Sequence, residues 1–361
     1  MSKNVISRRE FMKMTGIFGA YMGLSAVGGG LLTSCAPSKP AEMSKLKAQL
    51  GWIKNSQYIG YYAADIKGFY KEENLEIDIV AGGPGISPAT LVDSKQMDIA
   101  MQSTSIAMPQ LVADGANVIA FGTLNQRSPA GLMYIIKNPD GSPGYVIDNP
   151  EKCRGQRIGI QGGPTLPWRI ICKDSGLDVE KDMEIVNVSF DPTPLMDGTV
   201  AGYWCFATSQ PQMLENLGYE VGILDAYEWG YKVPGDFLVA HKDTFNSDKD
   251  KLAGFLRATI RGWVYANSNL DEMVTYVIDN FGEEYGLGQE AELYTAGAQV
   301  SYQMSKLVED KGLFAMNMED WENCYKILKD MGEITADMKV SDYATSEIFD
   351  QVYAKGRVDK L

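Results

Sequence analysis

The side chains best suited to chemistry in this chain are aromatic rings and small polar groups at strand-to-helix turns, and together they suit the holding of a flat ring. The aromatics are Trp52, Tyr58, Tyr61, Trp168, Tyr203, Trp204, Trp229 and Tyr231. A heterocycle stacked between two such faces gains on the order of 1 kcal/mol per ring pair beyond its burial. Asn55, Gln102, Ser103, Thr104 and Glu228 would supply donors and acceptors at the ring edge. Two glycine turns, Gly82-Gly83-Pro84-Gly85 and Gly162-Gly163, offer backbone amides to a carbonyl or a phosphate. This is the chemistry of binding. Neither turn has GxGxxG spacing or a following Gly-Lys-Ser/Thr, so a dinucleotide or a nucleoside triphosphate is not expected. With one histidine, His241, and no CxxC pair among five cysteines, no metal site and no cofactor are expected.

The elements that must position these residues read as α/β. Leu50 to Ile53 is a short apolar strand, Asn55 and Ser56 are N-cap types, and Ile59, Tyr62, Ala63, Ile66 and Phe69 recur at helical spacing. Leu75, Ile77 and Ile79 alternate as a strand, and the GGPG turn then leads to a helix at Pro88, leaving its amides free to face a ligand. Further strands are expected near residues 98–101, 118–121 and 131–136, all in one sheet. The breaker cluster Lys137 to Gly144 marks the crossing into a second lobe. That lobe repeats the pattern: a strand at 157–161, the Gly162-Gly163 turn, a helix from Leu166, and strands at 184–189 and 202–206. The chain returns at the apolar strand Phe237 to Ala240, with His241 read as structural, and finishes in helices. The expected architecture is two α/β lobes, each a mixed sheet flanked by helices, with a ligand cleft between them. Residues 49–140 and 236–361 would form the first lobe and 141–235 the second.

The N-terminal stretch reads as an export signal. Ser7-Arg8-Arg9-Glu10-Phe11-Met12-Lys13 resembles the twin-arginine consensus, with Met12 where Leu is usual, and Leu32-Thr33-Ser34-Cys35 resembles a lipobox. Residues 1–34 would be removed, Cys35 diacylated, and 35–48 left as a tether; two acyl chains suffice to hold a folded body at a membrane. The formal charge is −14 for the whole chain. Removing Lys3, Arg8, Arg9, Lys13 and Glu10 leaves about −17, which excludes nucleic acid and polyanionic partners. Cys153, Cys172, Cys205 and Cys324 read by default as buried free thiols, with a disulfide left open outside the cytoplasm and its pair not set by the spacing.

One stretch resembles a known family. "GYYAADIKGFYKEENLEIDIV", "GGPGISP" and "LVDSKQMDIAM" together resemble the opening of the solute-binding proteins related to thiamine pyrimidine synthases and to alkanesulfonate and nitrate binders. The resemblance implies the type 2 periplasmic-binding-protein fold and an extracytoplasmic, monomeric lipoprotein serving an ABC permease and its ATPase. It also implies a thiamine-precursor pyrimidine as ligand, with riboflavin next and a sulfonate-type anion third. A sulfonate would want a cation at the cleft turns, where only Arg169 is nearby. Where relatives carry an acidic or amide residue after the aromatic strand of the second lobe, this chain reads Tyr203-Trp204-Cys205-Phe206-Ala207-Thr208-Ser209, so Thr208 or Ser209 would substitute. The synthases of the family carry a cysteine-rich motif and active-site histidines. Neither is present here, and a binding protein is expected, not an enzyme.

Overall fold

Strand β1 (Ser44–Gln49) turns Leu46 and Ala48 into the core and Lys45 and Lys47 to solvent. It pairs in parallel with β2 (Leu75–Val80), Ser44 opposite Leu75, and on its other side with β3 (Ile99–Gln102). The folded body therefore starts within the expected tether, whose lysines are the outward face of a strand. Leu50 to Ile53, expected as the strand, is a bend leading into the first helix. The computed structural model describes residues 43–359 except Pro164 and Lys355, so the expected signal and Cys35 lie outside the described residues.

The first sheet has the order β2-β1-β3-β10-β4, with β4 at Val118–Thr123 and β10 at Phe237–His241. Strand β10 runs antiparallel to both neighbours. The second sheet, β7-β6-β8-β5-β9, contains β5 (Ala130–Lys137), β6 (Arg157–Ile160), β7 (Glu184–Asn187), β8 (Gly202–Phe206) and β9 (Glu220–Asp225). Here β5 is the antiparallel insertion between β8 and β9. Each sheet thus receives its fourth-position strand from the crossing of the chain.

This placement corrects the expected lobe boundary. Strand β5 belongs to the second sheet, so the chain crosses at Leu124–Pro129, and the breaker cluster at 137–144 is a turn inside the second lobe. Asp140 Oδ1 accepts there from the Ser142 amide at 2.9 Å, and the Asn138 amide donates to Ser142 O at 2.8 Å. Periodicity identifies a strand but carries no information about its sheet. The two glycine turns are also not equivalent. Gly82–Gly85 follows β2 at the edge of its sheet, whereas Gly162-Gly163 follows β6, the counterpart of β1.

The two crossings are hydrogen-bonded to each other. The Leu124 and Asn125 amides donate to Asp236 O at 2.7 and 3.1 Å, Gly235 donates back to Asn125 O at 2.9 Å, and Ser128 donates to Val233 O at 3.2 Å. One apolar cluster fills the space between the first sheet and α1 (Ile59–Ile66). A second runs from Ala100 and Phe237 to Leu132 and Trp168 and so is shared by both sheets. His241 is buried at the end of β10, and its Nδ1 accepts from the Asp243 amide at 3.1 Å, a structural cap. The four described cysteines are free and buried, and burial pushes each thiol up to about 12. No helix among the described residues is long and apolar enough to cross a membrane.

The long helix Lys249–Ser268 packs on α1 at glycine distance. A Cβ at Gly60 would lie 2.1 Å from Trp263 Cδ2, a rigid and fully buried ring atom. Gly60→Ala should therefore destabilise by about 2 kcal/mol, through displacement of the indole, and lower the denaturant midpoint without changing the slope.

Candidate functional site

The carboxyl ends of β1, β3, β6 and β8 meet the two crossings, the location at which open α/β sheets bind ligands. Asn55 begins the construction there: its Oδ1 accepts from the Gln57 amide at 3.1 Å and caps the short turn Ser56–Tyr58. The capped turn directs the Gln57 side chain to Asp236, which is 7% exposed. Three amide side chains converge on Asp236 Oδ2: Gln57 Nε2 at 3.1 Å, Asn125 Nδ2 at 3.1 Å and Gln299 Nε2 at 2.9 Å. Gln299 lies on the helix Gln289–Gln303, which also supplies Glu292 to accept from the Ser56 amide at 2.6 Å. Burial raises the Asp236 carboxyl above its ordinary range, and the Ser103 hydroxyl with the Gln57 and Gln299 amides pulls it back in part.

Several polar atoms are buried without a partner: Tyr58 Oη, Asn125 Oδ1 and Arg127 Nε beside this hub, Gln102 Oε1 at the end of β3, and Thr165 Oγ1 and Trp168 Nε1 in the second lobe. For Asn125 the amide orientation is fixed, because Nδ2 donates to Asp236 and also to Gln299 Oε1 at 3.2 Å. Its Oδ1 is therefore a true free acceptor. Arg127 stands at the same crossing, its Nε 3.7 Å from Asp225 Oδ2 and its guanidinium 4.9 Å above the Tyr302 ring. Its Nε is buried and has no hydrogen-bond partner.

Among the expected site residues, Trp52 is 41% exposed beside the hub, and Ser103 lies close to both Asp236 and Tyr58. Thr104 is exposed at the same strand end. The glycine-turn amides are less free than expected: Gly82 donates to Trp52 O at 2.8 Å and Gly162 to Asn187 Oδ1 at 2.9 Å, while Gly163 donates to Ile160 O at 3.3 Å. Gly82 is required for close approach, since a Cβ there would lie 2.3 Å from Leu50 O. In the same turn, Gly83 is partly covered and Pro84 and Gly85 are exposed. Tyr61 is core, edge-on to Trp263 at 5.8 Å. Trp168 is fully buried against the half-buried Trp204, with ring centroids 5.8 Å apart. Tyr203 points to the opposite face of β8 and donates to Ser189 O at 2.5 Å.

Glu228 is not brought to this place. Asp225 caps the turn Ala226–Trp229, and the chain leads away to the C-terminal end of the helix Leu166–Asp174, where Glu228 lines an outer groove with Asn149 and Asp174. Trp229 borders that groove and Tyr231 is core. Arg169 is on the outside, paired with Glu333 at 2.9 Å. The residues missed are Gln57, Asn125, Arg127, Asp236 and Gln299, contributed by separate segments, and Phe206, 49% exposed at the end of β8. The one available signal was Pro234-Gly235-Asp236, a turn with an acidic residue entering a wholly apolar strand.

A family model described as NMT1/THI5 like matches residues 55–273, more than half of the chain. The chain belongs to the NMT1/THI5-like family. It is 22% identical over 319 residues to the riboflavin-binding protein RibY of Chloroflexus aurantiacus, covering 86% of this chain and 88% of that one. It is also 22% identical over 308 residues to the formylaminopyrimidine-binding protein of Halalkalibacterium halodurans, covering 81% and 87%. Among solved structures, the periplasmic aliphatic sulphonate binding protein SsuA of Escherichia coli superposes with a TM-score of 0.61 at 12% identity, over 82% of this chain and 91% of that one. The fold of this NMT1/THI5-like chain is that of the periplasmic binding proteins, and the strand orders place it in their type 2 arrangement.

The raised carboxyl has a measurable consequence. Between the ordinary aspartate range and the higher one in the folded chain, the folded form holds more protons than the unfolded. The contribution of Asp236 is therefore fully present below the ordinary range and is lost as pH rises through the raised one. Urea unfolding followed across that acid window should show this falling component in the wild type, and Asp236→Asn should remove it.

Proposed function

We propose that this protein captures a small aromatic heterocycle between its lobes outside the cytoplasm and delivers it to the permease of an ABC importer. The reading includes cleavage before Cys35, lipid anchoring there, and no catalysis by the chain itself. A thiamine-precursor pyrimidine is the preferred ligand and riboflavin the next. The observation that carries the reading is the pair of unpartnered buried oxygens beside Asp236, Tyr58 Oη and Asn125 Oδ1, together with rings left exposed in each lobe, Trp52 in the first and Phe206 at the end of β8 in the second. Rings supply stacking area while free acceptors select ring edges that carry N–H groups. The names of the curated relatives, binders of a flavin and of a formylaminopyrimidine, support the same class.

A sulfonate ligand fits less well. The expected cation Arg169 faces outward onto Glu333, and the Arg127 guanidinium at the crossing lies over the Tyr302 ring with Asp225 Oδ2 3.7 Å from its Nε. Capture would proceed by lobe closure about the two crossings, with the ligand binding the closed form more tightly than the open one.

Thermal melting against the thiamine-precursor pyrimidines, thiamine, riboflavin, pyridoxal phosphate and short alkanesulfonates tests this. A ligand at a hundred times its dissociation constant adds about 2.7 kcal/mol, a shift of several degrees. A heterocycle should give that shift and be recovered unchanged; a shift with sulfonates alone would reverse the preference. Trp52→Ala should weaken the effective ligand roughly tenfold, about 1.4 kcal/mol, whereas Glu228→Ala in the outer groove should leave its affinity unchanged.

A further inference from the structure

The helix Gln289–Gln303 buries a polar face. Its buried positions are Glu292, Ala296, Gln299, Tyr302 and Gln303, while Leu293 stands exposed on its outer side. Of these five, Ala296 alone joins the apolar cluster of the first sheet. The long helix Lys249–Ser268 shows the usual arrangement, with Leu252, Phe255, Leu256, Ile260 and Trp263 inside. Polar bonds hold the shorter helix in place instead. Glu292 accepts from the Ser56 amide at 2.6 Å, Gln299 Nε2 donates to Asp236 Oδ2 at 2.9 Å, and Gln303 Oε1 accepts from Asn267 Nδ2 at 2.8 Å.

This seam is incompletely satisfied. Ser56 Oγ, Asn125 Oδ1, Asn267 Oδ1 and Gln303 Nε2, all on residues of the helix or bonded to it, are buried without a partner. Whichever way the Asn267 and Gln303 amides are turned, one bond joins them and one polar atom of each is left over. Such atoms lose water on burial and regain it when the surfaces separate, so parting this seam costs less than parting an apolar one. The joints at both ends suit such a separation. A π-type turn at Ile278–Gly282 and the left-handed Gly286, at φ +67°, precede the helix, and the extended Met304 follows it. Toward the second lobe the helix presents Tyr294, whose hydroxyl donates to Ala207 O at 3.3 Å, and the Tyr302 ring, 4.9 Å from the Arg127 guanidinium.

We propose that the helix Gln289–Gln303 is a lid over the crossings, lifting as an intact body between Gly286 and Met304 and closing with Tyr294 on the second lobe. Lifting takes Gln299 off Asp236, which is 7% exposed with the helix in place, and opens Ser56 and Asn125 to solvent. Closing restores the bonds to Ser56, Asp236 and Asn267 and adds a link between the lobes. The inference goes beyond the heterocycle reading and holds for any ligand of the cleft.

Ala296→Cys in the full chain puts a thiol on the buried face of the helix, and the free, buried Cys153, Cys172, Cys205 and Cys324 serve as internal controls for global unfolding. With N-ethylmaleimide as the probe and peptide mapping of each site, the introduced thiol should be labelled at least about tenfold faster than each of these four. Because the intrahelical bonds survive lifting, its opening constant should exceed that from hydrogen exchange of amides 293–301 by at least about tenfold. Asn267→Leu with Gln303→Met removes both leftover atoms at nearly unchanged side-chain length and should slow the labelling about tenfold. Where Ala296→Cys does not fold, Gln303→Cys takes its place; where the double variant does not fold, the two opening constants decide. Labelling no faster than that of the native thiols, equal opening constants, which mean unwinding, or a double variant labelled at an unchanged rate would overturn the lid. None of these outcomes touches the ligand reading, which the melting experiment tests separately.

Discussion

The structure depends on two short crossings that hold each other before they hold anything else. Leu124 to Pro129 leaves the first sheet, Val233 to Asp236 returns to it, and backbone hydrogen bonds join the two. Because each sheet accepts its fourth-position strand from this exchange, β5 in the second and β10 in the first, neither sheet is complete without the other half of the chain. Asp236 anchors that pairing with its carbonyl, on Leu124 and Asn125, and with its side chain, on Gln57, Asn125 and Gln299. Structural junction and candidate ligand contact are thus the same residue.

That coincidence has an energetic logic. A carboxylate taken out of water loses several kilocalories per mole of hydration, which neutral amides recover only in part. The residual deficit is visible as the upward displacement of the carboxyl. Oriented dipoles hold the charge in place without cancelling it.

The lobes are also joined beyond the crossings. The helix Met318–Asp330 sets Trp321 edge-on to Phe237 at 4.9 Å and donates its indole N–H to Thr123 Oγ1, while Lys173 of the second lobe reaches Asp330 O at 2.9 Å. On another face, Tyr294 of the helix Gln289–Gln303 donates to Ala207 O at 3.3 Å. The first of these contacts is rooted in a continuous apolar cluster.

The sequence by itself determined the elements and the family: the GGPG turn after an alternating strand, the Asn55 cap, the βα alternation and the apolar return strand follow from local rules of period, capping and turn chemistry. The stretch from Gly60 to Val80 pointed to the family that the comparison then identified. Local rules could not say that Gly131 to Ile136 pairs with β8 and β9, because strand propensity is the same in either sheet. Nor could they say that Lys45 and Lys47 flank a core residue, that Tyr61 and Trp168 are packing while Trp52 is open, or that Glu228 is carried to an outer groove. Gln57, Asn125, Asp236 and Gln299 are distant in the chain and ordinary in type. Only the tertiary structure, by closing one crossing on the other, brings three amides to a single carboxylate oxygen and leaves the other oxygen outside their grip.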